Sequence, residues 1–307
     1  MSTPAISLRG LTKDYGSLRA LDGVDLQVEA GEIFGFLGPN AAGKSTTIRV
    51  LLDLLRPSAG HAEILGVPSH RATPELRARV GYLPGELSLP PTKTAGRYLR
   101  YLAALRGGAG ADRIGDLADR FSLDLSKPMR GLSKGNKQKV GVVQAFMHSP
   151  KLLILDEPTS GLDPFLQREF LNLVTETNQT GATVFMSSHV LREVEEVARR
   201  VAIIRAGVVV DVDDVHTLRR RAGQHVVLRF EQDADPAWFA DLNDLEDVVI
   251  EGPTLRALLR GEPDMLLKIA AQHHVIRWQA QDRELEDLFF DFYRTTTKPA
   301  TATRGTI

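Results

Sequence analysis

The segment Gly38-Pro39-Asn40-Ala41-Ala42-Gly43-Lys44-Ser45-Thr46 restricts this chain more than any other. It fits G-x-x-x-x-G-K-[ST], a loop whose backbone N–H groups cradle phosphates, whose lysine reaches the β and γ phosphates of a nucleotide, and whose hydroxyl is offered to Mg²⁺. An apolar run at residues 33–37 precedes the loop, and Ile48, Leu51, Leu52 and Leu55 follow it at three- and four-residue spacing. That spacing predicts a helix over residues 43–55, stopped by Pro57. Strand, glycine-rich loop and helix form a mononucleotide-binding unit, which points to an α/β fold.

Further strands are available beside the first. Residues 152–155, 182–186 and 201–204 are short apolar runs spaced by helical patterns at 165–178 and 190–199, an alternation that implies a mostly parallel sheet. Ahead of the loop, residues 6–11 and 24–28 alternate apolar and polar with period two, as half-buried strands do. Residues 94–105 and 112–121 read as helices separated by the breaker Gly107-Gly108-Ala109-Gly110, so a helical subdomain is expected at about 86–148 within a first domain over 1–220. Beyond Arg221 the texture changes. Strands at 226–230, 248–250, 255–259 and 275–278, with helices near 265–271 and 284–293, predict a small α+β domain over 221–294. Its β-α-β-β-α-β-α order suggests a ferredoxin-like arrangement. Leu285, Leu288, Phe289 and Phe292 are expected to face a core or a dimer partner, and residues 295–307, rich in Thr and small side chains, to be disordered.

Composition removes several function classes. With 307 residues, 43% of them hydrophobic and 25% charged, the chain can bury a core and is unlike disordered, collagenous or coiled-coil sequences. Lys and Arg number 38 against 39 Asp and Glu, so no bulk field gathers nucleic acid, and nucleic acid is not an expected partner. The lack of cysteine excludes disulfides, a thiol nucleophile and Cys-ligated zinc. No window approaches the roughly 18 apolar residues of a spanning helix, and the start MSTPAISLRGLTKDYG lacks the pattern of a secretory leader. The expectation is a chain that is neither secreted nor membrane-spanning and that acts at a membrane only through a partner.

Two more segments carry chemistry. Leu152-Leu153-Ile154-Leu155-Asp156-Glu157-Pro158 is an apolar strand ending in two acids. Asp156 at its carboxyl end stands beside the phosphate loop, where it can hold Mg²⁺, and Glu157 is placed to orient and deprotonate a water in line with the γ phosphate. Gly131-Leu132-Ser133-Lys134-Gly135-Asn136-Lys137-Gln138-Lys139 precedes a helical run at 140–148. Ser133 can cap that helix, and Ser133 and Gly135 offer donors at its positive end, a second anion site.

With these residues in order, the chain resembles the nucleotide-binding subunit of an ABC transporter, whose signature loop, usually LSGGQ, matches Leu132 to Asn136. The resemblance spans about residues 5–215. It implies a P-loop NTPase core of mixed sheet and helices, with an antiparallel β part at the N-terminus and a helical subdomain. It also implies that Tyr15 stacks on adenine, that Ser160-Gly161-Leu162-Asp163 is the dimer-contacting D-loop, and that His189 senses the γ phosphate. ATP would then be bound by Tyr15, Gly38, Pro39, Asn40, Ala41, Ala42, Gly43, Lys44, Ser45, Thr46, Ser133, Gly135 and Asp163. Ser45 and Asp156 would hold Mg²⁺, with Glu157 and His189 catalytic. Implied partners are an integral membrane permease and a second ATP-binding subunit, identical or not. The two subunits would pack head to tail, each ATP lying between the phosphate loop of one and Ser133 to Gly135 of the other, at the cytoplasmic face of the cell membrane.

The chain departs from the family pattern at four positions. Ala41 stands where the family has Gly, and Gly85, after Gly81-Tyr82-Leu83-Pro84, stands where its Q-loop has Gln, leaving Glu86 as the nearest oxygen donor. Lys134 and Asn136 replace Gly and Gln of the signature. Such an LSKG-type signature with an appended C-terminal domain resembles ATPase subunits of bacterial exporters of the daunorubicin-resistance type, which implies efflux of drugs, antibiotics or lipids. Two readings compete with it. A soluble ABC-type ATPase of translation or DNA maintenance would bring tandem ATPase domains or a coiled-coil insertion, and a nucleotide-gated regulatory module without turnover would leave Glu157 and His189 unexplained.

Overall fold

The computed structural model describes residues 3–283 and divides into two compact units, Met1–Asp213 and Asp214–Ile307. The expected helix at 284–293, with Leu285, Leu288, Phe289 and Phe292, and the tail at 295–307 lie outside the described residues. In chain order the first unit contains β1 (Ile6–Tyr15), β2 (Leu18–Val28), β3 (Ile33–Leu37), α1 (Lys44–Leu51), β4 (Ala59–Ile64), β5 (Val67–Pro68), α2 (Pro74–Arg77), β6 (Val80–Leu83), α3 (Ala95–Leu105), α4 (Arg113–Arg120) and α5 (Lys134–Phe146). It continues with β7 (Leu152–Asp156), α6 (Pro164–Gln179), β8 (Thr183–Ser188), α7 (Leu191–Glu195), β9 (Arg200–Arg205) and β10 (Val208–Asp214).

Two sheets organise this unit. One is antiparallel, in the order β2-β1-β4-β5, and follows from the alternating pattern of β1 and β2. The other runs β10-β9-β3-β8-β7-β6, and its four pairings from β9 to β6 are parallel. Every residue of β3, β7 and β8 is buried, which is why these segments read as continuous apolar runs rather than alternating ones. Phe185 of β8 sits between Phe34 and Phe36 of β3, with ring centroids 6.1 and 5.3 Å away. On the helical side, Thr94 caps α3 by accepting from the Arg97 N–H, and Tyr98 Oη donates to Gln144 Oε1 of α5 at 2.8 Å. Arg120 of α4 pairs with Glu169 and Glu176 on α6, tying the helical region to the helix that follows the acid strand.

Several boundaries differ from the sequence reading. α1 ends at Leu51 rather than Leu55, because Asp53 adopts φ +57° and the Leu54 N–H turns back to Arg49 O at 2.9 Å. α5 begins at Lys134, so the signature segment is the first turns of the helix and not a loop ahead of residue 140. α7 stops at Glu195, since the Arg199 N–H must join Ile33 O as the chain enters β9. β4, β5, β6 and β10 carried too little apolar pattern to be expected.

The second unit starts at Asp214, ahead of Arg221, because the basic helix α8 (Val215–Ala222) packs within it: Arg260 Nη1 donates to Arg221 O at 2.7 Å. β11 (Gln224–Phe230), β12 (Leu245–Glu251), β13 (Thr254–Leu259), α9 (Asp264–Ala270) and β14 (Val275–Asp282) follow. The sheet order is β12-β13-β11-β14, antiparallel throughout, and a one-turn 3-10 helix at Pro236–Phe239 stands where a first helix was expected. Its core closes on Leu228, Phe230 and Leu255, and His273 stacks on Trp238 at 3.5 Å between centroids.

Phe185→Ala removes the ring between Phe34 and Phe36, with a loss of about 3–5 kcal/mol expected for a buried aromatic. Urea unfolding of the variant, followed by tryptophan-independent circular dichroism, should show the midpoint falling accordingly.

Candidate active site

Parallel register brings three strand ends to one place. Leu37 of β3 pairs with Ser188 of β8, and Asp156 of β7 pairs with Ser187 of β8. The glycine-rich loop, the acids Asp156-Glu157 and His189 therefore leave the same carboxyl edge of the sheet, where ligands of open α/β sheets bind. The loop is fixed by its own backbone: the Ala42 N–H donates to Pro39 O, the Gly207 N–H to Ala42 O, and Thr47 Oγ1 to Gly43 O. Gly43 takes φ +115°, and a Cβ there would lie 2.8 Å from Leu21 Cδ2 and 3.0 Å from Ala20 O, so no other residue fits. Ala41 is also left-handed, at φ +63°, and an L-residue there costs about 1–2 kcal/mol.

Lys44 is 5% exposed, and its Nζ donates to Gly38 O at 2.6 Å and Pro39 O at 3.1 Å. The same ammonium lies 3.1 Å from Glu157 Oε1. The other carboxylate oxygen of Glu157 accepts from His189 Nδ1 at 2.6 Å, which assigns the proton to Nδ1. His189 Nε2 can then donate to a further acceptor only when the ring is an imidazolium. Glu157 itself sits at φ +48°, a backbone state costing about 1–3 kcal/mol unless its surroundings hold it. Its N–H donates to both Ser187 O and Ser187 Oγ, each at 3.2 Å. Ser187 Oγ in turn donates to Asp156 Oδ1 at 2.6 Å, so one serine orients both acids. Asp156 is 5% exposed, and burial, followed by the charge of the Asp156 carboxylate, raises the Tyr82 hydroxyl above its ordinary pKa.

A cleft of about 300 Å³ opens over these groups, lined by Tyr15, Leu18, Pro39 to Thr46 and Glu157. Tyr15 is 44% exposed at the end of β1, with Lys13 Nζ 5.3 Å from its ring centre. Ser133, Gly135 and Asp163 do not line this cleft. Ser133 Oγ accepts from the Asn136 N–H as the cap of α5, and Asp163 caps α6 by accepting from the Leu166 N–H at 3.0 Å. A Cβ on Gly135 would come within 2.6 Å of Gly161 O, so this glycine is required for close approach to the segment after Glu157. The sequence reading did not single out Ser187, because its contact with both acids depends on β8 lying between β3 and β7. A Cβ on Gly85 would lie 3.5 Å from Asp156 O and Oδ2, an ordinary contact, so the position faces the acid with room for a side chain. Glu86 is exposed, with no hydrogen bond or ion pair among the described residues.

A family model described as ABC transporter matches residues 21–160. The bacitracin transport ATP-binding protein BcrA of Bacillus licheniformis is 36% identical over 224 residues, covering 72% of this chain and 73% of that protein. The chain belongs to the ABC transporter family. The daunorubicin/doxorubicin resistance ATP-binding protein DrrA of Streptomyces peucetius is 35% identical over 233 residues, covering 73% of this chain and 70% of its own. Among solved structures, one titled as the ATP-binding subunit of an ABC transporter superposes with TM-score 0.66 at 31% identity, over 71% of this chain and 92% of that one. The first unit is thus the nucleotide-binding ATPase cassette of an ABC transporter, with the mixed α/β fold of that class.

In this ABC cassette Gly43 and Ala41 make opposite predictions. Gly43→Ala forces a Cβ into Leu21 and Ala20 and should abolish binding of a fluorescent ATP analogue. Ala41→Gly relieves a left-handed alanine and should raise the unfolding free energy by up to about 1 kcal/mol in urea titration.

Proposed function

We propose that this chain is the ATP-hydrolysing subunit of an exporter that moves drugs, antibiotics or lipids through a separate membrane permease. The names of its relatives, which concern bacitracin transport and daunorubicin/doxorubicin resistance, support efflux as the direction. No helix among the described residues is long and apolar enough to cross a membrane, so the permease would supply the path and this chain would sit at the cytoplasmic face.

The observation that carries the mechanism is the Glu157 carboxylate held between Lys44 at 3.1 Å and His189 at 2.6 Å at the mouth of the phosphate loop. Lys44 and the loop N–H groups bind the β and γ phosphates, and Tyr15 offers its exposed ring to adenine. The donor set fits a divalent cation: Asp156 uses only Oδ1 on Ser187, and the Ser45 hydroxyl makes no hydrogen bond among the described residues. Mg²⁺ held by Ser45 and Asp156 would neutralise charge on the transferring phosphoryl group. Glu157 takes the proton of the attacking water as general base, and Nδ1–H of His189 holds the carboxylate in line. As an imidazolium, His189 can also donate from Nε2 to the γ phosphate.

Ser133 and Gly135 lie outside the cleft of their own chain, which supports a head-to-tail dimer in which the signature of one subunit closes the ATP site of the other. Hydrolysis would then release the two subunits and relax the permease.

Glu157→Gln in the full chain should lower turnover by about 100-fold or more, the contribution of a general base, while ATP still drives dimerisation on size-exclusion chromatography. Purification of the tagged chain from detergent-solubilised membranes of its source should recover a near-stoichiometric polytopic protein. Recovery only with ribosomal or DNA-bound proteins would overturn the exporter reading.

A further inference from the structure

The strained Glu157 backbone needs neighbours that hold the chain on both sides of it. On the carboxyl side, Thr159 is 5% exposed and donates Oγ1 to Glu193 Oε2 at 2.5 Å. The same oxygen lies 3.4 Å from Ser188 Oγ, whose single proton is shared with the nearer Val190 carbonyl at 3.1 Å and which accepts from the Val190 N–H. Thr159 follows Glu157 by two residues, Ser188 immediately precedes His189, and Glu193 stands on α7, the helix that leaves the His189 turn. A single carboxylate oxygen therefore joins the two segments that carry the Glu157–His189 pair.

The segment is gripped from its other side as well. Gln138 Nε2 of α5 donates to Pro158 O at 2.6 Å, and Lys134 Nζ donates to Ser160 Oγ at 2.8 Å. Residues 158–161 are thus spanned between α5 and α7, and only the α7 attachment also reaches the histidine turn. Burial raises the Glu193 carboxyl above its ordinary pKa, opposed by the Thr159 and Ser188 hydrogen bonds. An acid tolerated there in spite of burial, with no basic partner among its hydrogen bonds, is one whose acceptor oxygens the site uses.

We propose that Glu193 is a positioning residue of the ATPase site: by accepting from Thr159, with a longer contact to Ser188, it ties the turn after β7 to the histidine turn after β8, and so keeps His189 Nδ1–H on the Glu157 carboxylate. The proposal rests on the reading of Glu157 as general base with His189 as its partner. Glu193 touches neither nucleotide nor water in this scheme; it acts through Thr159 and the histidine turn. Displacement of a reacting group by about 1 Å costs up to about 100-fold in rate, so the loss falls on the chemical step and not on nucleotide binding.

The test uses the full-length chain with Glu193→Ala, Glu193→Gln, Thr159→Val and the Glu193→Ala/Thr159→Val double variant. Steady-state ATPase kinetics, titration with trinitrophenyl-ATP and proton–nitrogen NMR of the His189 ring are the readouts. Glu193→Ala should lower kcat by about tenfold or more with KM and analogue affinity changed by less than about twofold, and should shift the His189 resonances. Glu193→Gln, whose amide oxygen still accepts from Thr159, should recover most of kcat and the parental resonances. Thr159→Val should match Glu193→Ala, and the double variant should be no slower than either. Parental kcat in Glu193→Ala, or equal losses in Glu193→Ala and Glu193→Gln, overturns the proposal. If Glu193→Ala fails to give a cooperative thermal transition, Thr159→Val decides, since it replaces one hydroxyl by a methyl group of similar size; a parental rate there overturns it. An active Glu157→Gln overturns the base assignment itself, whereas an inactive Glu157→Gln beside a fully active Glu193→Ala overturns only the role of Glu193.

Discussion

Parallel pairing of β3, β8 and β7 is the constraint from which the ATPase site descends. The pairing puts Leu37 beside Ser188 and Asp156 beside Ser187, so three chain segments far apart in sequence reach the same edge at the same height. A slip of one residue in either pairing would turn every side chain of the slipped strand to the opposite face and move Ser187 off both acids. What prevents a slip is burial on both faces, anchored by Phe185 against Phe34 and Phe36. The apolar centre of the sheet thus sets the geometry of its polar rim.

At that rim the protein places strain next to charge. Glu157 is left-handed without being glycine, and Ala41 in the phosphate loop is left-handed as well. The two differ in what surrounds them. Glu157 is held by the double acceptor at Ser187, by Lys44 and by His189, so its conformation is fixed by several contacts that each bear on the proposed chemistry. Ala41 is exposed at the loop surface, and among the described residues nothing offsets its strain beyond the loop's own backbone bonds. The signature helix α5 adds a further restraint through Gln138 and Lys134, with Gly135 permitting its close approach to Gly161. The replacement of the usual signature glycine by Lys134 therefore has a local explanation: its ammonium bonds Ser160 and its stem covers Gly161.

The second unit follows a different logic. Its four antiparallel strands carry one buried face, closed by Leu228, Phe230 and Leu255. The adjacent His273 and His274 divide between packing and solvent: His273 stacks on Trp238, while His274 lies near Glu231 at the surface.

The amino-acid sequence by itself determined the phosphate loop, the acid pair at the end of an apolar strand, the order of α/β units and the change of texture toward the C-terminal unit. These are local signals: a glycine pattern at fixed spacing, an apolar run and a helical period each lie within a few turns of chain. The sequence also carried Glu157 and His189, since each follows a strand directly. Tertiary structure alone decided that Ser187 serves both Asp156 and Glu157, that Gly85 faces Asp156 while Glu86 faces solvent, and that Ser133 and Asp163 cap helices outside their own chain's cleft. It alone brought Glu193 of α7 against Thr159 and Ser188, which belong to segments about 30 residues apart in sequence. Strand order and register are set by how the whole core packs, and no window of sequence short enough to read contains both members of such a pair.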